Sequence, residues 1–384
     1  MNMSGKRIFC GKTMIFAMPQ PNGAPDFRAR GRDLSLERIA EGLAERWSDK
    51  TMSVLKNQQL TACEERLLKC PGVGIFDRQQ GDGWQAVYLA SYDAEELKRG
   101  EAMPSPEQLK ERVLSRLAKE AALLSEGEES LLQRLLFSDG ETMLISWDEI
   151  TFAESLVKRM WCTVSLDASD EKAALRLAEP LMAPLAQAIA TDEYQNVRNH
   201  MFALDATLHG LLYLTGFLYA NVPVMHFLKD VLKRDDGEER RLLLRSLRAA
   251  YDFCFDSLGD MILLHPGLAD PAKLLRGLHA SDMPEPKLTQ EMLLGGMNEM
   301  LPEEASCCEM LGGALQGALR PENDVDEAVE DLKIMVKQGA SYDELKNVLD
   351  NMLAVMPTNR MLSALKRLEL ETVRWTGVPA AVLN

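Results

Sequence analysis

The chain has 384 residues, of which 46% are hydrophobic and 27% are charged, and its 43 basic and 59 acidic side chains give a net charge of −16. This composition excludes collagen-like and disordered classes, and the length favours two or three domains. The negative charge opposes non-specific binding to nucleic acid and to anionic membranes. Seven irregularly spaced cysteines indicate reduced thiols, and the first residues lack the pattern of a secretory signal. We therefore expect a cytoplasmic protein that does not bind membranes.

The first hundred residues predict a small α/β module. Apolar residues recur at three- and four-residue steps in its helical parts, and glycines at Gly81 and Gly83 supply the turn of a hairpin. The predicted elements are a helix over 36–47, a short helix at 52–55, a helix over 60–69 and a hairpin over 73–89.

The order of these elements resembles a winged-helix domain, with 36–90 as the domain and 77–83 as the wing. In DNA-binding members of that family the third helix, here 60–69, enters the major groove with basic and amide side chains. The candidate contact residues are Gln59, Thr61, Arg66 and Lys69. Glu64 and Glu65 would face phosphate, however, and winged helices also serve as protein-contact modules. The resemblance therefore favours protein contact over DNA.

From Ser105 onward the sequence predicts a mainly α, multi-helix body. Capping boxes at Ser105, Ser146 and Ser341 mark helix starts. Helices are predicted near 106–124, 128–137, 147–161, 170–190, 192–220, 223–233, 238–257, 271–280, 288–300, 303–318, 324–338, 342–355 and 358–373, with short strands at 142–145 and 163–166. Linkers near 98–106 and 281–287 divide the chain into an α/β module at 1–100, a helical domain at 105–280 and a C-terminal helical domain at 288–384.

One segment, 206–228, contains no Asp, Glu, Lys or Arg and is long enough to cross a bilayer. Polar residues such as His209 lie inside it, and Pro223 would break a helix about two-thirds of the way along. We predict a pair of helices buried in a soluble protein.

Motifs for catalysis, cofactors and metals are weak. Gly11-Lys12-Thr13 lacks the spacing of a phosphate-binding loop. Asp205 and His209 can share a helix face, but no second helix offers matching metal ligands. Cys307 and Cys308 have no histidine nearby and are typical of small buried side chains. We predict no cofactor and no metal, and the sequence favours a protein that is not an enzyme.

Two further sets of side chains are candidate interaction residues. Arg241, Arg245 and Arg248 form a basic stripe at helical spacing. The stripe could dock an anion or an acidic partner, and a solvated face balanced by nearby carboxylates is the simpler interpretation. The methionine set is Met292, Met297 and Met300. Methionines can line an adaptable partner-binding groove or fill gaps in a core.

Paired glycines recur at Gly295-Gly296 and Gly312-Gly313. Each glycine inside a helix costs about 1 kcal/mol relative to alanine, but the missing side chain lets a neighbouring helix approach closely. We therefore expect close helix packing at these pairs.

Three functional hypotheses follow from these patterns. The favoured one is a non-enzymatic protein–protein interaction or adaptor protein. The first alternative is a winged-helix DNA-binding regulator with a helical effector domain, although we expect segment 30–100 to bind duplex DNA more weakly than about 10⁻⁴ M at physiological salt. The second is an enzyme or small-molecule binder with a pocket among the helices of 192–265. The sequence leaves the oligomeric state open.

Overall fold

The computed structural model describes residue 76 and residues 105–146, 149–166, 173–233, 237–255, 261–268, 289–321 and 323–375. Within these ranges the chain is mainly helical, as predicted, with two small antiparallel sheets. The predicted winged-helix-like module lies outside the described residues, apart from Phe76. The predicted linker 281–287 also lies outside them, as does the linker 98–106 except for its last two residues. Phe76 occupies a turn and packs, half-buried, against the first of two large cores.

The first part of the helical body combines four helices with a three-stranded sheet. Ser105 and Ser125 each close a capping box with the residue three positions later, which fixes the first two helix starts. The elements are α1 Pro106–Ala121, α2 Glu126–Phe137, β1 Met143–Leu144, α3 Ile150–Lys158, β2 Cys162–Leu166, β3 Ala173–Leu177 and α4 Glu179–Ile189. β3 is the central strand, and its Leu175 lies opposite Met143 of β1 and Val164 of β2.

A second sheet follows a long helix. The elements are α5 Asp192–Thr215, β4 Phe217–Tyr219, α6 Asn221–His226, a π-helical turn Phe227–Val231, α7 Gly237–Ala250, β5 Asp252–Phe255 and β6 Met261–Leu264. β6 is central, with β4 and β5 antiparallel on either side. The sheet therefore joins the end of α5 to the end of α7.

The helix predicted over 192–220 is shorter than expected. It ends at Thr215 because Gly216 adopts the left-handed conformation, with φ 78°, and caps the helix. The Asn-Val-Pro sequence does not break a helix but begins α6. Pro223 fits there because the first-turn N–H groups of a helix need no intrahelical partner.

Two other predicted helices were partly wrong, since each contains a strand. The range 170–190 includes β3, and 238–257 includes β5. Both strands are stabilised by antiparallel pairing with a neighbouring strand, β3 with β2 and β5 with β6. Local propensity is a weak prior that such pairing overrides.

The C-terminal part consists of α8 Gln290–Met297, α9 Pro302–Leu315, α10 Val325–Lys337, α11 Tyr342–Met352 and α12 Asn359–Glu371. The helices α9 to α12 form two hairpins whose loops meet in an antiparallel bridge between Leu319 and Leu353. Ala354 N donates to Ala318 O at 2.9 Å beside this bridge. The two loops are thereby fastened to each other at one end of the four-helix unit.

The apolar side chains form two large cores. The first extends from Leu109 to Leu263 and includes Leu293 of α8, whereas the second extends from Cys307 to Leu368. A small cluster of Tyr213, Leu214 and Leu301 lies between them. Because α8 packs into the first core, the second core begins later than residue 288, where the C-terminal domain was predicted to start. The division of the chain into domains stays a prediction.

Leucines of the apolar segment 206–228, among them Leu208 and Leu212, lie in the first core. Within the described ranges, none of the helices combines the length and apolar character that crossing a bilayer requires.

Substitution of Gly296 by alanine is expected to destabilise the fold by about 1–3 kcal/mol. Its new Cβ would lie 2.6 Å from the backbone oxygen of Gly210 in α5, so the two helices would have to separate. Gly312→Ala is the matched control, because its nearest neighbour, Val325 Cγ1, would lie 3.7 Å away. That change is expected to stabilise α9 by up to about 1 kcal/mol. Urea unfolding measures both; equal effects would contradict the prediction.

Candidate functional site

The polar groups between the two cores converge on Glu304, a fully buried carboxylate in the first turn of α9. Its Oε1 accepts hydrogen bonds from Lys337 Nζ at 2.7 Å and Val373 N at 3.2 Å. Its Oε2 accepts hydrogen bonds from Tyr213 OH at 2.7 Å and Leu301 N at 3.3 Å. One carboxylate thus connects α5, α9, α10 and the segment after α12.

The ammonium group of Lys337 is surrounded by acceptors. Besides Glu304, it contacts the carbonyl of Val373 at 3.2 Å and lies 4.0 Å from the ring centroid of Tyr213. Burial lowers the pKa of Lys337, and the neighbouring Glu304 carboxylate opposes that shift. Because Nζ is engaged on three sides, the geometry fits a structural ion pair better than a reactive amine.

A second lysine continues this polar cluster along α10. Lys333 Nζ donates to the carbonyl of Glu299 at 2.6 Å and lies 2.5 Å from the carboxylate of Glu330. It also lies 5.2 Å from the ring centroid of Tyr213. Burial raises the pKa of Glu330, and the nearby Lys333 charge lowers it in part. The two lysines therefore attach α10 to the loop after α8 and to the end of α5.

His265 lies beside the aromatic groups at this junction. Its ring centroid is 5.2 Å from that of Trp375 and 6.5 Å from that of Tyr213, and its Nδ1 accepts a hydrogen bond from Gly267 N at 3.0 Å. Desolvation by the surrounding protein lowers the pKa of His265 to about 3, with His209 and two lysines adding to the effect. His265 is therefore neutral at pH 7.

We expect acid to destabilise the fold through His265. Its pKa is about 3 in the folded chain and 6.5 for the ordinary side chain, so the unfolded chain binds more protons between these values. Stability should fall as pH drops below about 6.5, by up to about 1.4 kcal/mol per pH unit. Urea unfolding at pH 7 and pH 5 tests this: His265→Gln should lose less stability than the unchanged chain, and equal losses would contradict the assignment.

A second set of titratable side chains connects α5 to the end of α7. The Tyr251 hydroxyl, at the end of α7, donates to the Asp205 carboxylate of α5, and the exposed His209 ring lies 5.5 Å from the Tyr251 ring. Burial raises the pKa of Tyr251, as does the negative charge of Asp205. In the part of the chain that is described, no group of three or more potential ligands is arranged to hold a metal ion.

The loop that joins α11 to α12 exposes apolar side chains. Val355 is 52% exposed and Met356 is 85% exposed. The backbone beneath them is fixed, because Arg320 donates from its N to Met352 O at 3.0 Å and from Nε to Leu353 O at 3.1 Å. The helix predicted over 342–355 therefore ends earlier, at Met352.

The basic stripe predicted on α7 is not a solvent-exposed surface. Arg241 is exposed, but Arg245 and Arg248 are buried. Arg245 Nη1 lies 3.7 Å from the buried carboxylate of Glu120 in α1. The predicted solvated face is therefore wrong at these two positions, because both arginines are buried and Arg245 lies against α1. The docking role of the arginines stays a prediction.

Arg159, the residue that follows α3, and Glu128 of α2 form another buried pair that the sequence analysis did not predict. Arg159 Nη2 donates to Glu128 Oε1 at 3.2 Å and to Ser246 Oγ at 2.9 Å. Glu128 also accepts hydrogen bonds from Ser125 N at 2.7 Å and from the Ser155 hydroxyl. No local signal predicts the pair, since the two residues are 31 positions apart.

The three candidate methionines do not share one groove. Met297 packs against the first core, Met300 against the second and Met292 against the small cluster between them. Each is half-buried, which supports core packing. The buried positions predicted for Cys307 and Cys308 are confirmed.

The candidate contact residues Gln59, Thr61, Arg66 and Lys69 lie outside the described residues, and their role stays a prediction. Two surfaces are left as candidate sites: the exposed loop 353–358 and the group of Asp205, His209 and Tyr251. Comparison of the chain with models of protein families, with curated proteins and with solved structures yields no match.

Proposed function

We propose that this protein is a non-enzymatic protein–protein interaction protein and that the loop 353–358 belongs to its contact surface. The observation that carries the proposal is the exposure of Val355 and Met356 on a rigidly held loop. Transfer of a methionine side chain from water to an apolar interface contributes about 1.5–3 kcal/mol. Methionine also adapts its shape to different partners, which suits a contact residue.

The rigid frame beneath the loop supports the same proposal. The bridge between Leu319 and Leu353 and the hydrogen bonds from Arg320 hold the loop before any partner arrives. A preorganised contact surface loses less conformational entropy on binding than a mobile one. The ion pair of Glu304 and Lys337 joins α9 to α10 within the same four-helix unit that carries the loop.

Photo-crosslinking followed by mutation tests the proposal. A photoreactive amino acid is placed at Met356 in the full chain, expressed in cells of the source organism, and crosslinked proteins are identified. Binding of the purified candidate is then measured for the chain and for the Val355→Ser/Met356→Ser variant. Phe137→Ser is the matched control, because Phe137 is similarly exposed, at 87%, but lies at the end of α2. We expect the double variant to lose at least about tenfold in affinity, a loss of 1.4 kcal/mol, and the control to lose little. Equal binding by all three chains would contradict the proposal.

A small-molecule binder with its site in 192–265 is a second candidate function. The observation that favours it is the juxtaposition of Asp205, His209 and Tyr251, since shifted pKa values and clustered titratable groups are typical of functional sites. A ligand screen by thermal shift, with Tyr251→Phe as the comparison chain, tests it. A compound that stabilises the unchanged chain but not the variant would favour this function. The DNA-binding alternative depends on residues outside the described ranges and stays a prediction.

A further inference from the structure

The segment 372–375 runs from the end of α12 to the C-terminal end of α5. It begins where α12 ends, at Thr372, whose N donates to Leu368 O at 3.0 Å and whose side chain is fully buried. Three residues later, Trp375 N donates to Lys337 O at 2.9 Å at the end of α10. The segment therefore runs along the junction between the cores.

The Trp375 side chain is seated on the C-terminal end of α5. It is 3% exposed, and its Nε1 donates to Tyr213 O at 2.9 Å. Tyr213 lies in the last turn of α5, where carbonyl groups no longer receive hydrogen bonds from a following helical turn. The indole, which is only a donor, satisfies one of these carbonyls. The His265 ring, 5.2 Å from the indole, forms part of the same seat.

The backbone of the segment completes the buried ion pair. Val373 N donates to Glu304 Oε1 at 3.2 Å, and Val373 O accepts from Lys337 Nζ at 3.2 Å. The fully buried side chain of Thr372 lies beside Cys307. Displacement of the segment would thus remove hydrogen-bond partners from Glu304 and Lys337. It would also expose the face of α9 that carries Cys307 and Cys308.

We propose that residues 372–375 form a latch that holds the α9–α12 unit against α5, with Trp375 as the group that closes it. Opening of the latch exposes Cys307 and Cys308 while the first core stays folded. Such sub-global opening is expected where a few contacts hold two packed units together. The site that Trp375 vacates accepts an aromatic ring with an N–H donor, because the carbonyl of Tyr213 is the acceptor of the indole N–H. This inference does not depend on the proposed interaction function.

Site-specific thiol alkylation tests the latch. The full-length chain and the Trp375→Gly variant are treated with N-ethylmaleimide under native conditions, and modification is followed peptide by peptide with mass spectrometry. Cys307 and Cys308 are expected to react at least about tenfold faster in the variant, since sub-global opening controls their protection. Cys162, buried in the first core, is the internal control and should keep its rate.

Chemical rescue distinguishes loss of the Trp375 indole contact from a general destabilisation of the fold. Indole at millimolar concentration should restore protection of Cys307 and Cys308 in Trp375→Gly. Benzothiophene has a similar shape without the N–H donor and should restore much less. Should Trp375→Gly fail to fold, Trp375→Phe keeps an aromatic ring and removes the donor; a smaller rise in alkylation is then expected. Unchanged rates at Cys307 and Cys308, a parallel rise at Cys162, or equal rescue by both compounds would overturn the latch.

Discussion

Replacement of Glu304 by alanine is expected to destabilise the protein by about 3–5 kcal/mol. The substitution leaves the Lys337 ammonium, which has 1% of its side chain exposed, without its carboxylate partner. Taking a charge out of water costs several kcal/mol when no opposite charge compensates it. Tyr213 OH and the backbone N–H groups of Leu301 and Val373 lose an acceptor as well.

Urea unfolding followed by circular dichroism measures this loss. The double variant Glu304→Leu/Lys337→Met removes both charges, so we expect it to be more stable than Glu304→Ala. Glu303→Ala is the matched control, since Glu303 is the exposed neighbour in the same helical turn. A double variant that is as unstable as the single one would show that the ion pair is not the main source of the effect.

Replacement of Glu128 by alanine is expected to cost a similar amount, about 3–5 kcal/mol. Arg159 would keep a buried guanidinium without a carboxylate, and its Nε and Nη1 already have no hydrogen-bond partner among the described residues. The substitution also removes the capping box of α2, which contributes roughly a further 1 kcal/mol.

Arg159→Met removes the other partner of this ion pair, and its effect is compared with that of Glu128→Ala. It removes the charge and the unsatisfied donors, while Glu128 keeps its hydrogen bonds from Ser125 N and the Ser155 hydroxyl. We therefore expect Arg159→Met to cost clearly less than Glu128→Ala. Glu126→Ala, at an exposed position of the same helical turn, should change stability by less than about 0.5 kcal/mol. If Arg159→Met were the more damaging change, packing of the arginine stem rather than charge pairing would dominate.

Two of the three predicted capping boxes lie at helix starts. The boxes at Ser105 and Ser341 lie at the starts of α1 and α11, and each places the side-chain and backbone hydrogen bonds that its sequence predicts. The box at Ser146 is less simple: Glu149 accepts from Ser146, but α3 begins only at Ile150. Such local signals work because the groups that satisfy each other are three residues apart.

The candidate site was less accessible to sequence reasoning. The spacing of the arginines predicts that they share one face of α7, but the burial of Arg245 depends on the contact with Glu120 of α1. Val355 and Met356 carry no periodic signal, and their exposure results from the bridge between the two loops. The paired glycines behave differently from one another: a Cβ added at Gly296 would clash with the backbone of α5, whereas one added at Gly312 would make ordinary van der Waals contacts with Val325 and Val329.

The sequence by itself determined the helical class, most helix starts and the buried apolar segment, because these follow from residues within about one helical turn of each other. Only the tertiary structure decided the second sheet, the buried ion pairs and the latch. Lys337 and Glu304 are 33 residues apart, and Trp375 and Tyr213 are 162 apart. A charge or an indole becomes a structural contact only when folding removes it from water beside a complementary group, and no local pattern encodes that neighbour.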